Sequence, residues 1–104
     1  MTKNLPSFER IYNVVSRIPK GKVSTYQNVA VLARIKSPRF VGLALHRNYD
    51  PENIPCHRVV RSDGKIATGY AFGGRIKQIG RLKKEGVNFL SNGRVDLSRS
   101  LFNS

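Results

Sequence analysis

The segment "STYQNVAVLARIKSPRFVGLALHRN", residues 24–48, contains two helix signals separated by a short connection. In its first half, Ser24 or Thr25 can cap a short helix, because a hydroxyl there accepts a hydrogen bond from a free amide of the first turn. In its second half, Ser37 is followed by Pro38, the usual order of an N-cap and a first helical residue. The segment therefore predicts two helices joined by a tight turn.

Apolar residues at helical spacing give each of these two helices a face for the core. The first helix presents Tyr26, Val29, Ala30 and Ala33, and the second presents Val41, Ala44 and Leu45. Arg39 then lies in the exposed first turn of the second helix. This is the outline of a helix-turn-helix, although most helix pairs joined by short loops serve only core packing.

The preceding part of the chain predicts one more helix. Its apolar residues follow the spacing of one helical face, namely Phe8, Ile11, Tyr12 and Val15. The turn-like sequence "IPKGK", residues 18–22, ends this helix.

The following part predicts a small β element, a last helix and a tail. "CHRVVR", residues 56–61, is compatible with a strand, and "SDGK" after it with a turn. A helix is expected from about Gly74 to Glu85, with Gly86 as its C-cap. Its expected apolar seam is Ile76, Ile79 and Leu82. From about residue 88 the tail alternates weakly, so it forms an edge strand or lies loose.

The composition indicates one basic domain over residues 1–104 with a polyanion as partner. Nineteen Lys and Arg oppose six Asp and Glu, a formal charge of +13, and such an excess destabilises a small domain by self-repulsion unless an anion relieves it. Solubility through charge is the plainer alternative. The lone cysteine excludes an intrachain disulfide, and the sequence has no long apolar run. We expect a monomeric protein of the cytoplasm or nucleoid, or of the nucleus in a eukaryote, without membrane contact.

The one cysteine, Cys56, stands between Pro55 and His57. A thiolate is a nucleophile, and a neighbouring base or cation favours it. In an extended strand adjacent side chains point to opposite faces, so His57 can assist Cys56 only through a bend at Pro55 or a bridging water. The alternative is structural: Cys56 as a small buried residue and His57 as a hydrogen-bonded core histidine. A zinc site is not expected, because one cysteine with His46 and His57 falls short of four ligands.

"IPCHRVV", residues 54–60, resembles the active-site signature of the O6-alkylguanine-DNA alkyltransferases. Further segments match that family in the same order from Phe8 to about Val87. They are "GKVSTYQNVA" and "SPRFVG" for the helix-turn-helix, "HRN" for the asparagine hinge, and "GYAFGG" for the loop over the pocket. The resemblance implies a mainly α, winged helix-turn-helix-like DNA-binding domain with a small β element.

The resemblance also implies a reaction, DNA repair by a methyltransferase that acts once. Cys56 would accept the alkyl group from O6-alkylguanine in double-stranded DNA, without cofactor or metal. His57 would act as base through a water, with Glu85 polarising its ring. Because O6 lies inside the base stack, the reaction requires base flipping, and Arg39 would replace the flipped base. Tyr26 would donate to the guanine ring as the leaving group develops charge.

The remaining implied roles concern support and contact. Asn48 would brace the turn around the site, and Arg58 would hold the strand through buried polar contacts. Three residues would join Tyr26 and Arg39 at the DNA, namely Thr25, Ser37 and Gly42. Five would line the substrate pocket, namely Pro55, Val59, Tyr70, Ala71 and Phe72.

Three departures from the family leave a second function open. Full-length members usually carry an N-terminal domain, and here the match begins within ten residues of the start. The pocket loop has one residue more than in many members, with Ala71 and Phe72 where a serine is frequent. The chain also has the size of alkyltransferase-like proteins, which often carry tryptophan in place of the acceptor. They bind lesions and flag them for excision-repair proteins, whereas this chain keeps Cys56.

Overall fold

A computed structural model of the chain describes residues 6–66 and 70–102. Its helices and strands, in chain order, are α1 (Ser7–Ser16), β1 (Ser24–Thr25), α2 (Tyr26–Ala33), α3 (Pro38–His46), β2 (Val59–Val60), α4 (Gly74–Lys84) and α5 (Leu97–Ser100), with a 3₁₀ turn at Cys56–Arg58. The predicted class, mainly α with a small β element, is confirmed. Gly69 of the predicted pocket loop and both ends of the predicted domain lie outside the described residues.

Helix α1 forms as its apolar spacing predicts and packs on the helix pair that follows. Ile11 and Val15 are fully buried, and Phe8 is half-buried against the same core. The hydroxyl of Tyr12 donates a 2.7 Å hydrogen bond to the backbone oxygen of Ala44 in α3. This bond ties α1 to the second helix of the pair.

Helices α2 and α3 confirm the predicted pair, including its caps. The Thr25 hydroxyl accepts from the backbone amide of Asn28 at 3.1 Å, so Thr25 rather than Ser24 is the N-cap of α2. The Ser37 hydroxyl accepts from the amide of Arg39 at 3.2 Å. Between the two helices, Arg34 ends α2 in the left-handed conformation, with φ of 60°. That conformation turns the chain sharply enough for α3 to begin four residues later.

The strand expected over residues 56–61 is only two residues long. Val59 and Val60 pair in parallel with Ser24 and Thr25, whereas the preceding Cys56–Arg58 forms the 3₁₀ turn. The strand prediction is therefore wrong for those three residues. Because the pairing is parallel, Arg61, which follows β2, lies beside the start of α2, whereas the 3₁₀ turn lies at the other end of the strand pair.

Strand β2 separates two clusters of buried apolar side chains. Val59 belongs to the cluster formed with α1, α2 and α3, and Val60 to a second one with Val23, Leu82 and Val95. Successive strand residues point to opposite faces, so each of the two adjacent valines packs into a different cluster. The 3₁₀ turn thus lies where the two clusters meet.

Helix α4 differs from its prediction in the face it buries. Ile76 is 86% exposed, whereas Gln78 is 1% exposed and Leu82 is fully buried. The expected apolar seam is therefore wrong at Ile76, because Gln78, the polar residue two positions on, faces the core. Gly86, with φ of 90°, follows the helix in the left-handed conformation that favours glycine.

The described part of the tail packs against the body and does not lie loose. Leu101 forms a parallel bridge with Val23, and Phe89 an antiparallel bridge with Val95. Val95 is buried in the second cluster. Within residues 6–66 and 70–102 no helix is long and apolar enough to cross a membrane.

Candidate functional site

Cys56 lies at the wall of a cavity of about 170 Å³ between α2, α3 and α4. The thiol residue is 5% exposed. The other residues that line the cavity are Tyr26, Gly42, Leu45, His46, Tyr70, Ala71 and Gln78. The one cysteine therefore faces a partly open space large enough for part of a small molecule, which a purely structural residue would not need.

Of the five predicted pocket residues, Tyr70 and Ala71 line this cavity. The other three do not lie among the described residues that line it. Val59 is fully buried because β2 turns it into the first apolar cluster, and Pro55 is buried at the start of the 3₁₀ turn. Phe72 is half-buried, with its ring 5.8 Å from that of Tyr70.

The 3₁₀ turn sets the direction of the thiol. The backbone amide of Cys56 donates to Ile54 O at 2.7 Å, and that of Arg58 donates to Pro55 O at 2.9 Å. The turn thus supplies the bend at Pro55 that the sequence requires for cooperation between Cys56 and His57. Burial raises the pKa of the Cys56 thiol, and a hydrogen bond with Asn48 offsets this only in part. The group is therefore a thiol at neutral pH, and it would need a base to act as a nucleophile.

His57, the next residue of the 3₁₀ turn, carries a neutral imidazole. Its ring is 1% exposed, and Nε2 lies 3.0 Å from Oε2 of Glu85. Burial lowers the pKa of His57, although the bond to Glu85 counteracts this. Because an ionised carboxylate only accepts, Nε2 carries the ring proton and Nδ1 is left as an acceptor. Nδ1 is buried and has no hydrogen-bond partner within the part of the chain that the structure describes.

Glu85 is held by two residues of the 3₁₀ turn. Besides His57, Arg58 binds it through both nitrogens of the fork, Nε to Oε1 at 2.9 Å and Nη2 to Oε2 at 2.8 Å. Arg58 also donates from Nη1 to Ile18 O at 2.7 Å. Burial raises the pKa of Glu85, but the hydrogen bonds from Arg58 and His57 outweigh it and keep the pKa below its usual value. Glu85 is thus an anion at neutral pH and fixes the imidazole.

Asn48 shapes the loop that leads into the 3₁₀ turn. Its side-chain amide donates to Ile54 O at 2.7 Å, and its side-chain oxygen accepts from the amide of Asp50 at 2.9 Å. Asn48 is buried, and its bond to Ile54 is shielded from water, whereas the bond from Asp50 is only partly so. Together the two bonds fix both ends of the loop.

Tyr26 connects the cavity to an open groove of about 420 Å³. The groove is lined by Tyr26, Gln27, Pro38, Arg39, Gly42, Arg61 and Ser62, and the cavity shares Tyr26 and Gly42 with it. Burial raises the pKa of Tyr26, and the Cys56 thiol adds to this while Arg61 opposes it. The phenol therefore keeps its proton and remains a donor.

The predicted contact residues are divided between the groove and the helix caps. Arg39 is exposed in the groove, and Gly42 lies against the ring of Tyr26, because a Cβ there would be 4.0 Å from it. Thr25 is buried, with its hydroxyl engaged as the cap of α2, and Ser37 is exposed at the start of α3.

Two residues of α4 at this site are absent from the sequence predictions. Gln78 donates from Nε2 to His57 O at 3.0 Å and to Val59 O at 3.3 Å, and lines the cavity. Arg81 donates from Nη1 to the Tyr70 hydroxyl at 2.9 Å. The spacing of Gln78, Arg81 and Glu85, which puts all three on one face of a helix, is the signal that would have identified them. Within the described part of the chain, no three His, Cys, Asp or Glu side chains are grouped as metal ligands.

The family model of the 6-O-methylguanine DNA methyltransferase, DNA binding domain, matches residues 6–87. A bifunctional methyltransferase/endonuclease of Picrophilus torridus is 41% identical over 103 residues, which cover 98% of this chain and 34% of that protein. A methylated-DNA–protein-cysteine methyltransferase of Methanothermobacter thermautotrophicus is 49% identical over 79 residues, covering 76% of this chain and 43% of that protein. The chain thus spans less than half the length of these two relatives.

Among solved structures, Schizosaccharomyces pombe Atl1 in complex with damaged DNA containing O6-carboxymethylguanine is similar in fold. The TM-score is 0.80 at 31% sequence identity, and the match covers 94% of this chain and 95% of the other. The family match covers the helix pair, Cys56 and Glu85 together. By fold and by sequence, this chain belongs to the family of the 6-O-methylguanine DNA methyltransferase DNA-binding domain.

Proposed function

We propose that this chain repairs DNA by a single-turnover transfer of the alkyl group from O6-alkylguanine to Cys56. The observation that carries the proposal is that the cavity of Cys56 and the groove of Arg39 share Tyr26 and Gly42. A duplex along the groove therefore has a short path for one flipped base into the cavity. A solely structural cysteine would need no such opening.

Charge brings the DNA to this groove. The formal charge of +13 attracts the phosphate backbone of any sequence, damaged or not, as a protein that must search DNA requires. Arg39 enters the base stack from the first turn of α3 and occupies the place of the flipped guanine. Flipping costs a few kcal/mol, less for a poorly paired base, and the phosphate contacts offset this cost.

In the transfer step the Cys56 sulfur attacks the carbon attached to O6. A sulfur–carbon bond forms as the carbon–O6 bond breaks, and the electron pair of that bond passes to the guanine ring. The thiol proton passes through a water to Nδ1 of His57, and Glu85 stabilises the resulting imidazolium. Tyr26 donates a hydrogen bond to the ring as charge develops. The proton that His57 took from the thiol finally passes through water to the guanine anion, which leaves guanine and His57 neutral. The S-alkyl bond is not cleaved, so each molecule acts once.

A lesion-binding protein that does not transfer is the second candidate. Burial raises the pKa of the Cys56 thiol, which slows attack unless the relay through His57 operates. The similarity to S. pombe Atl1 over almost both whole chains also favours this reading. In that case the same cavity holds the flipped lesion, and the complex is recognised by excision-repair proteins.

Intact mass spectrometry separates the two candidates. The protein is incubated with a duplex that contains one O6-methylguanine, and both molecules are weighed. We expect the protein to gain one methylene group and the DNA to lose it, with no gain in Cys56→Ala. Tight lesion binding with unchanged masses would establish the lesion-binding function instead. A chain that neither gains mass nor prefers the modified duplex would contradict both.

A further inference from the structure

Arg81 is a half-buried cation next to the cavity of Cys56. It lies on α4, one turn beyond Gln78, which lines the cavity, and it donates to the hydroxyl of Tyr70, which also lines it. Residues three apart on a helix share a face. The Arg81 guanidinium therefore lies directly behind Tyr70, next to the cavity but not among the described residues that line it. Coulomb attraction from it favours the thiolate form of Cys56.

Within residues 6–66 and 70–102, Arg81 forms no ion pair. The acid nearest in sequence on its helix face is Glu85, four residues on, whose two oxygens already accept from Arg58 and His57. Arg81 uses one of its five N–H donors on Tyr70. A cation that is partly removed from water and makes no ion pair loses hydration that an anionic ligand can replace.

Tyr70 adds a second donor at the same place. Its hydroxyl accepts from Arg81, and its own proton remains available. Burial raises the pKa of Tyr70, and although Arg81 opposes this, the phenol stays protonated at neutral pH. The pair therefore places a phenol in the cavity wall and a guanidinium immediately behind it, a combination suited to a carboxylate.

We propose that Arg81 and Tyr70 make this site selective for O6-alkylguanines whose alkyl group carries a negative charge. The inference rests on the proposed function, because it concerns what the flipped base bears. The two donors bind the carboxylate end of the substituent, whereas a neutral amide of the same size offers them an uncharged acceptor and no negative charge for the guanidinium.

Two matched lesions isolate the effect of charge. Duplexes are made with one O6-carboxymethylguanine or one O6-carbamoylmethylguanine, which differ by a carboxylate and an amide of nearly equal size. Dissociation constants are measured in the Cys56→Ala background, so that no transfer intervenes. We expect the carboxymethyl duplex to bind about tenfold more tightly, the size of a charge-assisted hydrogen bond in a partly buried site.

Two arginine substitutions in α4 test whether Arg81 causes the preference for the carboxymethyl duplex. Arg81→Gln should bring the ratio of the two constants to about one, whereas Arg75→Gln, which removes an exposed charge from the same helix, should leave it unchanged. Binding of an O6-methylguanine duplex by Arg81→Gln serves as the check that this variant folds. If that variant proves unfolded, Tyr70→Phe, which removes only one hydroxyl, must lower the ratio at least twofold.

The possible failures are distinguishable. A wild-type ratio near one, or a ratio that Arg81→Gln and Tyr70→Phe leave unchanged, would overturn the charge selectivity while the proposed function stands. Equal binding of O6-methylguanine and unmodified guanine duplexes would instead overturn the proposed function, and the selectivity with it.

Discussion

Charged side chains differ in burial and pairing on the two sides of Tyr26. On the acceptor side, defined as Cys56, His57, Arg58 and Glu85, the charged side chains are mostly removed from water, and His57, Arg58 and Glu85 are hydrogen-bonded at 2.8–3.0 Å. On the groove side, defined as Arg39 and Arg61 with the turn between α2 and α3, the cations are exposed. The part of the chain that the structure describes gives neither of these arginines an ion pair.

This difference separates what each side does. Paired charges in a site of low dielectric fix geometry, and removing one partner is costly because the other stays buried. Exposed charges contribute little to stability and are screened by salt, so they remain available for an external anion. Substitutions on the acceptor side should therefore lower the stability of the protein and disturb the geometry of the site. Substitutions on the groove side should weaken DNA binding alone.

Glu85→Gln, on the acceptor side, is expected to have the largest effect, and that effect is on the free energy of unfolding. It leaves the Arg58 cation without its carboxylate, although both side chains are only 14% and 13% exposed. We expect the free energy of unfolding to fall by about 2–3 kcal/mol, less than the roughly 3–5 kcal/mol of a fully buried pair, because some exposure remains. Urea denaturation measures it, and Glu9→Gln, which changes an exposed acid of α1, should cost less than about 0.5 kcal/mol.

The pH dependence of stability makes this test sharper. The pKa of Glu85 is lower in the folded state than its ordinary 4.5. Its contribution is therefore complete above that ordinary value and is lost as pH falls through the folded-state pKa. Glu85→Gln should lack this acid loss. The separate loss from buried, neutral His57, which begins below its ordinary pKa of 6.5, should persist. Identical acid profiles for both proteins would show that the carboxylate is not the stabilising group.

Arg39→Ala should affect binding to duplex without affecting stability. Because Arg39 is exposed and replaces the flipped base in the proposed function, we expect transfer from duplex to fall about tenfold and transfer from the free modified base to stay nearly unchanged. Single-turnover rates on the two substrates measure this. Arg75→Ala, which removes the same charge outside the groove, is the matched control. An equal loss on both substrates would argue against the role in flipping.

The sequence predicted best the features that depend on near neighbours. The caps at Thr25 and Ser37 and the turn signal of Pro38 act within three residues, so the helix pair followed from local rules. The contact between Arg58 and Glu85 spans 27 residues, and no residue pattern gave it. The expectation that Glu85 faces His57 came from the family resemblance alone. Its chemical role stays a prediction.

The wrong predictions arose where tertiary packing overruled the local pattern. An apolar seam at Ile76 was expected, but Gln78 is buried because its amide donates to two backbone oxygens of the 3₁₀ turn and β2. The strand expected at Cys56 is a turn, because the bond from Arg58 N to Pro55 O closes it. Arg81 and Gln78 were missed for the same reason, since their function depends on which face of α4 meets the cavity.

Arg34→Gly, on the groove side, is expected to have the smallest effect. The comparison predicts that removing the exposed charge of Arg34 does not by itself change the stability of the protein. Among the described residues, Arg34 is the one non-glycine with positive φ, 60°. The left-handed conformation costs an L-residue about 1–2 kcal/mol, and glycine removes that cost but adds conformational entropy to the unfolded chain. We expect a net gain of about 0.5 kcal/mol in the free energy of unfolding.

Arg34→Ala is the matched control, because alanine removes the same charge but keeps the Cβ that causes the strain. It should therefore not stabilise the protein, whereas both variants should weaken binding to undamaged duplex by a similar small factor and reduce its salt dependence. A stabilised Arg34→Gly that binds DNA less well would mean that the arginine at this turn is retained for its charge at the expense of stability. If alanine stabilises as much as glycine, repulsion among the groove cations is the cause instead. Exposed charge on the groove side would then lower the stability of the protein, contrary to the comparison.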